Sequence, residues 1–179
     1  MNAFERLGLG VGLVVSEGEV REAFRKRAAE VHPDSGGDEG EFAAMQVAQE
    51  ALISPSKKLK EWLGAKGEVV DSRGQIETGL MDLFQKVAEV GSGAEAAIKG
   101  AEKAQSSLAK GMAEVGLMAS REKVKDLLAE IEAELQGRVS KFGGIEETQD
   151  FRLASETMRD LIFLEKWKGT LKGLFGRLM

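Results

Sequence analysis

Helical spacing of apolar residues is the feature that most constrains how this chain folds. Apolar side chains recur every three or four positions through most of the 179 residues, and no run alternates apolar and polar residues as a half-buried strand would. The 22 glycines divide or interrupt these segments, because glycine is unfavourable in a helix interior. The pattern predicts an all-α protein, and a chain of this length can bury a sizeable core without disulfides.

The first long helix has a predicted start and a predicted stop. Ser16 and Glu19 form a capping box, in which each side chain accepts a hydrogen bond from the backbone amide of the other. Apolar residues then follow on one face as far as Val31. The helix must end before Pro33, because the residue preceding a proline avoids the helical region.

Two more helix starts follow within the first third of the chain. Asp38 is in position to cap a helix after the loop that contains Pro33. Ser54 is in position to cap the next one, with Pro55 at the first helical residue. Residues 1–63 are therefore predicted to form a small bundle built on two main antiparallel helices.

The remainder of the chain is predicted to be a second helical domain. Residues 64–74 are polar, contain three glycines and are interpreted as a linker. Residues 75–179 are predicted to form an elongated antiparallel helical bundle or coiled hairpin. The last helix carries a regular apolar seam that consists of Leu164, Trp167, Leu171, Leu174 and Leu178.

Three interruptions are predicted within this second domain. The run Gly91-Ser92-Gly93 is expected to end one helix, and Gly143-Gly144 is expected to form a turn. Between them the apolar phase slips after Met118, so that either Ser120 caps a new helix or one long helix contains a stutter.

Composition excludes several classes of function. The chain has no cysteine, which excludes disulfides, thiolate zinc sites and cysteine-ligated iron–sulfur clusters. A net charge of −5 argues against binding to nucleic acid, and no stretch is long and apolar enough to span a bilayer. The apolar run 7–15 contains three glycines and precedes no cleavage site, so a cleaved signal peptide is not expected. We expect a cytoplasmic protein without a cofactor.

Nothing in the sequence predicts an enzyme. One histidine and scattered serines offer neither a catalytic triad nor a metal cluster. The glycine-rich run 8–12 lacks the preceding strand that a dinucleotide-binding loop requires.

The only histidine begins the tripeptide His32-Pro33-Asp34, called the HPD segment below. Around it, residues 4–63 resemble the J-domain family of DnaJ-type co-chaperones, whose fold is built on a helical hairpin. The resemblance is carried jointly by FERLGL (4–9), VREAFRKRAAEVHPD (20–34) and FAAMQVAQEALISP (42–55). Beyond these stretches, the family tends to have basic residues and an aromatic at the positions of Lys57, Lys58 and Trp62.

The resemblance implies that the protein docks on a DnaK-type heat-shock ATPase and stimulates its ATP hydrolysis. A carboxylate held beyond a helix end, as that of Asp34 would be, can pair with an arginine of the partner. Pro33 restricts the loop and so lowers the entropy lost on docking, while His32 can hydrogen-bond and pack. Three basic residues of the preceding helix would steer it towards an acidic surface: Arg21, Arg25 and Lys26. The alternative is an ordinary solvated face, because Glu22 and Glu30 dilute this charge.

Several positions depart from the family pattern. Phe24 and Val31 occupy two places that often hold tyrosine. Arg27 occupies a place usually filled by leucine, so its side chain must snorkel or the packing must differ. Glu30 and Ser35 replace common basic residues on either side of the HPD segment. These last two changes favour a weak or dedicated partner over a generic one.

The second domain allows three interpretations. No Gly/Phe-rich stretch and no CxxCxGxG repeat follows residue 63, so the layout resembles that of HscB-type iron–sulfur co-chaperones, in which a helical domain holds the cluster scaffold protein. The domain would bind a client or adaptor, or self-associate through the Leu164–Leu178 seam, or touch a membrane through the amphipathic tail EKWKGTLKGLFGRLM (165–179). The alternative for the whole chain is a helical scaffold or dimerisation protein whose J-like module no longer engages an ATPase.

Overall fold

The structure, a computed structural model, describes residues 1–31, 37–69 and 77–179. Within those ranges the chain forms eight helices and no strand, so the predicted all-α fold is confirmed. The helices are α1 Ala3–Leu7, α2 Glu17–Val31, α3 Glu39–Ile53, α4 Pro55–Ala65, α5 Thr78–Lys103, α6 Ser107–Val139, α7 Phe142–Thr148 and α8 Phe151–Arg177.

The chain divides into two compact units. Unit 1 consists of Met1–Gly74 with Arg138–Leu161, and unit 2 of Gln75–Gly137 with Ile162–Met179. The long helices α6 and α8 therefore each contribute residues to both units.

The segment predicted as a linker begins inside a helix. Because α4 continues to Ala65, its last two residues fall within 64–74. Residues 70–76 lie outside the described residues. The division into 1–63, 64–74 and 75–179 stays a prediction.

Short helices in unit 1 begin at the predicted caps. The Ser16 amide donates to the Glu19 carboxylate at 2.8 Å, and the Glu19 amide donates to the Ser16 hydroxyl at 3.2 Å, which completes the capping box at the start of α2. The Asp38 carboxylate accepts from the Glu41 amide at 2.6 Å and so caps α3. Ser54 caps α4, with proline at its first residue. These side chains satisfy amides that a helix start leaves without an intrahelical partner.

The core of unit 1 lies among α1–α4 and is completed by α7 and the first part of α8. The ring of Trp62 is fully buried, and its centroid lies 5.7 Å from that of Phe151 at the start of α8. The other large buried side chains of this core include Phe4, Leu7, Leu13, Val20, Met45, Leu52, Leu59, Leu63, Phe142, Ile145, Met158 and Leu161.

A carboxylate of α7 fixes the loop between α1 and α2. Glu146 accepts hydrogen bonds from the backbone amides of Leu13, at 2.9 Å, and Val14, at 3.3 Å. A Cβ atom at Gly12 would lie 2.9 Å from the Glu146 Oε1 atom, so glycine permits this close approach. The contact satisfies loop amides that no helix or strand would pair.

The predicted apolar seam of the last helix is buried inside unit 2. The ring centroid of Trp167 lies 6.0 Å from those of both Phe84 and Phe163. The interpretation that the Leu164–Leu178 seam pairs between chains is therefore wrong, because the seam already packs within one chain. Its members are all at most 7% exposed: Leu164, Trp167, Leu171, Leu174 and Leu178.

Ion pairs connect the three long helical segments of unit 2. These ion pairs add side-chain contacts between the helices outside the apolar seam. The bridges are Lys86 to Glu130 at 2.5 Å between α5 and α6, Lys168 to Glu132 at 2.9 Å between α8 and α6, and Arg177 to Glu95 between α8 and α5.

Two of the three predicted interruptions are wrong. The run Gly91-Ser92-Gly93 lies inside α5, and Gly143-Gly144 lies inside α7. At the third, α6 continues without a break through Met118 and Ser120, as the stutter alternative proposed. The break between α5 and α6 lies instead at residues 104–106.

Candidate chaperone-docking site

The HPD segment lies outside the described residues, but both of its flanks are described. Helix α2 ends at Val31, immediately before the segment, and α3 begins at Glu39 behind its Asp38 cap. Residues 32–36 lie outside the described residues, so the predicted stop before Pro33 stays a prediction. The connection from residue 32 to 38 joins the end of one helix to the start of the next.

Cross-helix contacts hold α2 and α3 together near this connection. The ring of Phe24 lies 6.1 Å from that of Phe42, centroid to centroid, at a tilt of 49°. One helical turn closer to the connection, the Arg27 guanidinium lies 3.8 Å from the Glu41 carboxylate. The described residues on either side of the HPD segment thus belong to a packed helical pair.

Arg27 snorkels, which is one of the two outcomes expected for an arginine at a usual leucine position. Its Nη1 atom donates to the backbone carbonyl of Glu5 at 3.4 Å, while its Nη2 atom faces Glu41. The methylene stem passes over Gly8, whose left-handed φ of 70° ends α1. The side chain therefore connects α1, α2 and α3 instead of filling an apolar pocket.

The three basic residues predicted to face the partner are exposed on α2, but they are not equivalent. Arg21 forms an ion pair with Glu17, one turn earlier, at 2.5 Å. Within the described residues, no ion pair is formed by Arg25 or Lys26. The basic residues of α2 that form no ion pair with a described residue therefore lie near the middle of the helix, closer in sequence to the HPD segment than Arg21.

Lys58 is a structural lysine whose role the sequence did not reveal. Its Nζ atom donates to the backbone carbonyl of Val15 at 2.7 Å, and the residue is only 9% exposed. Burial lowers the pKa of Lys58 below its ordinary value, and the carboxylates of Glu17 and Glu19 partly oppose this shift. The contact ties α4 to the residue preceding the capping box and so fixes where α2 begins.

The described ranges contain no cluster of His, Cys, Asp or Glu residues arranged to hold a metal ion. Across the same ranges, no helix combines the length and the apolar character needed to cross a membrane.

Comparison with known proteins gives no match to a protein-family model. Among curated proteins, Chaperone protein dnaJ A6 of Oryza sativa subsp. japonica is 42% identical over 50 residues, which cover 28% of this chain and 12% of that protein. The DnaJ protein homolog of Cucumis sativus is 36% identical over 69 residues, covering 33% and 17%. Chaperone protein DnaJ of Halorubrum lacusprofundi is 45% identical over 53 residues, covering 28% and 14%. The chain spans less than a fifth of the length of these curated relatives.

Among solved structures, Chaperone HscB from Vibrio cholerae superposes with a TM-score of 0.58 and covers the whole of both chains. The sequence identity is 20%, so this likeness establishes the fold. The molecule therefore has an all-α fold of the HscB type. Together with the DnaJ matches, this fold identifies within the chain a segment of the J-domain family, as the sequence predicted.

Proposed function

We propose that this protein is a co-chaperone that stimulates ATP hydrolysis by a DnaK-type heat-shock chaperone through the HPD segment. The observation that carries the proposal is the position of His32-Pro33-Asp34 between the end of α2 and the capped start of α3. The chain that holds this segment is 36–45% identical to DnaJ proteins over 50–69 residues.

The chemistry of the segment suits a short-lived docking contact. The Asp34 carboxylate is an acceptor for a bidentate, charge-assisted pair with an arginine. Proline in the middle of the segment reduces the number of backbone states that docking must freeze. Packed helices on both sides reduce that entropy loss further, because the ends of the loop are already fixed.

Within the basic group of α2, we propose that Arg25 and Lys26 contribute more to docking than Arg21. Both lie closer in sequence to the HPD segment than Arg21 and form no ion pair within the described residues, whereas Arg21 is partly neutralised by Glu17. Reversing the charge of Arg25 or Lys26 should therefore lower the apparent affinity more than the same change at Arg21. This effect should weaken as salt is raised, because exposed charges act over about 8–10 Å.

ATP turnover by the DnaK homologue of the same organism tests the proposal. We expect the wild-type protein to stimulate turnover and His32→Gln to abolish stimulation, with unchanged helical circular dichroism and melting. Ser35→Ala, one residue beyond the HPD segment, is the matched control and should keep the stimulation. If the wild-type protein stimulates none of the organism's DnaK homologues, the alternative of a scaffold with an inactive J-like module is favoured.

We further propose that the residues after 75 bind a client or adaptor protein. On α5 the apolar side chains of Met81 and Phe84 are 43% and 46% exposed, although Phe84 also contacts Trp167. Because the layout resembles HscB-type proteins, the probe of choice is the organism's iron–sulfur scaffold protein, titrated calorimetrically. Binding that is lost in Phe84→Ser and kept in Val47→Ser, at an exposed valine of α3, supports the proposal. Equal binding by both variants rules out this surface.

A further inference from the structure

Side chains from two other helices of unit 1 hold the backbone that leads into α2. The Glu146 carboxylate of α7 accepts from the amides of Leu13, at 2.9 Å, and Val14, at 3.3 Å. The Lys58 ammonium of α4 donates to the carbonyl of the next residue at 2.7 Å. Three consecutive residues are therefore fixed immediately before Ser16, whose hydroxyl caps α2.

Glu146 reaches this loop from a helix that is itself fixed. Phe142 and Ile145 of α7 are 4% and 1% exposed, so the helix is held by packing in the core of unit 1. At its end, Gln149 has a left-handed φ of 52°, which is uncommon for a residue other than glycine, and its side-chain amide donates to the Glu146 carbonyl at 2.6 Å. The carboxylate is therefore presented by a rigid backbone, and little further entropy is lost when it binds the loop amides.

Helix α2 depends on the loop because few of its own side chains are buried. Of residues 17–31, all of which the structure describes, Val20 is the buried one. The contacts that Phe24 and Arg27 make with α3 lie from the middle of α2 onwards. The first turn of α2 is held instead by the backbone before it, so the loop fixes where the helix begins.

We propose that Glu146 is a positioning residue for docking on the DnaK-type ATPase and that it acts through the loop on the orientation of α2. The inference rests on the proposed function, in which Arg25 and Lys26 of α2 meet the partner. Glu146 lies in α7, outside the segment 4–63 that resembles the J-domain family, so a helix from elsewhere in the chain adjusts the docking surface.

The mechanism is a change in the population of molecules that are ready to dock. Without the Glu146 carboxylate, two loop amides lose their acceptor, and α2 occupies the docking orientation in a smaller fraction of molecules. The apparent affinity for the partner falls with that fraction. The rate at saturation does not change, because a bound molecule has the same α2 and the same HPD segment as before.

A titration of the organism's DnaK homologue with the full chain, followed by ATP turnover, separates affinity from maximal rate. Glu146→Ala should raise the concentration needed for half-maximal stimulation by about 3- to 10-fold and leave the plateau unchanged. Glu146→Gln keeps one acceptor oxygen and should give a smaller increase. Glu147→Ala, at the exposed carboxylate next in the chain, is the matched control and should behave like the wild type.

A variant in unit 2 separates positioning from a general loss of stability. Leu171→Ala removes a fully buried side chain of α8 and should destabilise the fold at least as much as Glu146→Ala. At a temperature where circular dichroism shows both variants to be folded, Leu171→Ala should keep the wild-type half-maximal concentration. If it raises that concentration as much as Glu146→Ala does, the effect is one of stability and the proposal is overturned.

Hydrogen exchange of the free protein tests the positioning without a partner. The amides of Glu19 and Val20 donate to the Ser16 hydroxyl and carbonyl, at 3.2 and 3.1 Å, so their exchange reports the start of α2. We expect this exchange to speed up in Glu146→Ala and to stay unchanged in Glu147→Ala. Unchanged exchange in Glu146→Ala overturns the inference.

The two measurements distinguish a failure of this inference from a failure of the proposed function. A wild-type chain that stimulates no DnaK homologue overturns the proposed function, and the exchange rates alone then decide whether Glu146 positions α2. If the wild type stimulates turnover, an unchanged half-maximal concentration in Glu146→Ala overturns the inference. A lower plateau at an unchanged half-maximal concentration also overturns it, because the change would then affect the bound state instead of docking.

Discussion

The short helices α1–α4 and the long helices α5, α6 and α8 are stabilised in different ways. Around α1–α4, side chains bind backbone groups at helix starts and in the loops, as Ser16, Asp38, Lys58 and, from α7, Glu146 do. In unit 2 the contacts run along the helices, through an apolar seam and ion pairs between neighbours. A short helix leaves a large share of its amides unpaired, so its ends matter more than those of a long one.

The largest expected effect is at the centre of the short-helix region. Trp62→Ala should lower the free energy of unfolding by about 3–5 kcal/mol, because it removes a fully buried ring that contacts Phe151. Trp62→Phe should cost much less, since it keeps an aromatic ring and removes an indole N–H that has no hydrogen-bond partner in the described structure. Urea unfolding followed by circular dichroism measures both. Equal losses would contradict the assignment of this ring as the core.

The next effect concerns the carboxylate that holds the loop between α1 and α2. Glu146→Ala should destabilise the protein by about 1–3 kcal/mol, because it leaves the amides of Leu13 and Val14 without their acceptor. Glu146→Gln keeps one acceptor oxygen and should cost less. Hydrogen exchange at these two amides should speed up in the alanine variant, and unchanged exchange would rule out this role of Glu146.

Removal of one cap should have a smaller effect. Asp38→Ala should cost about 1 kcal/mol, because the Glu41 amide at the start of α3 loses its acceptor. Asp38→Asn is the control, since asparagine caps about as well as aspartate. If the two variants melt alike, the cap does not stabilise α3 as described.

In the long-helix region a glycine replacement should have the opposite sign. Gly93→Ala should stabilise the protein by about 0.5–1 kcal/mol, because the residue lies inside α5 and an added Cβ meets no atom within 4 Å. The same change in a glycine turn would be neutral or harmful. A lower melting temperature for Gly93→Ala would therefore contradict the position of this residue inside α5 and favour the helix break that the sequence predicted.

The smallest expected effect is the loss of stability at low pH that comes from Glu19. Hydrogen bonds from the Ser16 hydroxyl and amide hold the pKa of Glu19 below its ordinary value of 4.5. A lowered carboxyl pKa contributes stability that is present above 4.5 and is lost as the pH falls through the folded-state value. Melting curves of the wild type and Glu19→Gln should therefore differ at pH 7 and converge at low pH. A constant difference between them would contradict the role of the Glu19 charge.

The difference between the short and the long helices also explains which parts of the fold could be predicted from the sequence. Helix caps are local signals, so Ser16, Asp38 and Ser54 were predicted correctly. The helix break predicted at Gly91-Ser92-Gly93 was wrong. The burial of neighbouring apolar side chains stabilises the helix by more than the two glycines destabilise it, at about 1 kcal/mol each.

Other features had no local signal. The break between α5 and α6 contains neither glycine nor proline, and its only cue is Ser106, whose hydroxyl accepts from the Ala109 amide at 3.1 Å. Glu146 and Leu13 are 133 residues apart in sequence, so no motif could connect them. In the candidate site, the HPD segment could be recognised in the sequence as a short motif. The partners of Arg27 could not be predicted, because they depend on how α1, α2 and α3 pack together.

Lys58 has a consequence for experiments that label amines. Its nitrogen is occupied by the Val15 carbonyl and shielded from water, so acylating reagents that modify the exposed lysines should reach it last. Fluorophores can therefore be attached at lysines elsewhere on the surface while the anchor between α4 and the start of α2 stays intact.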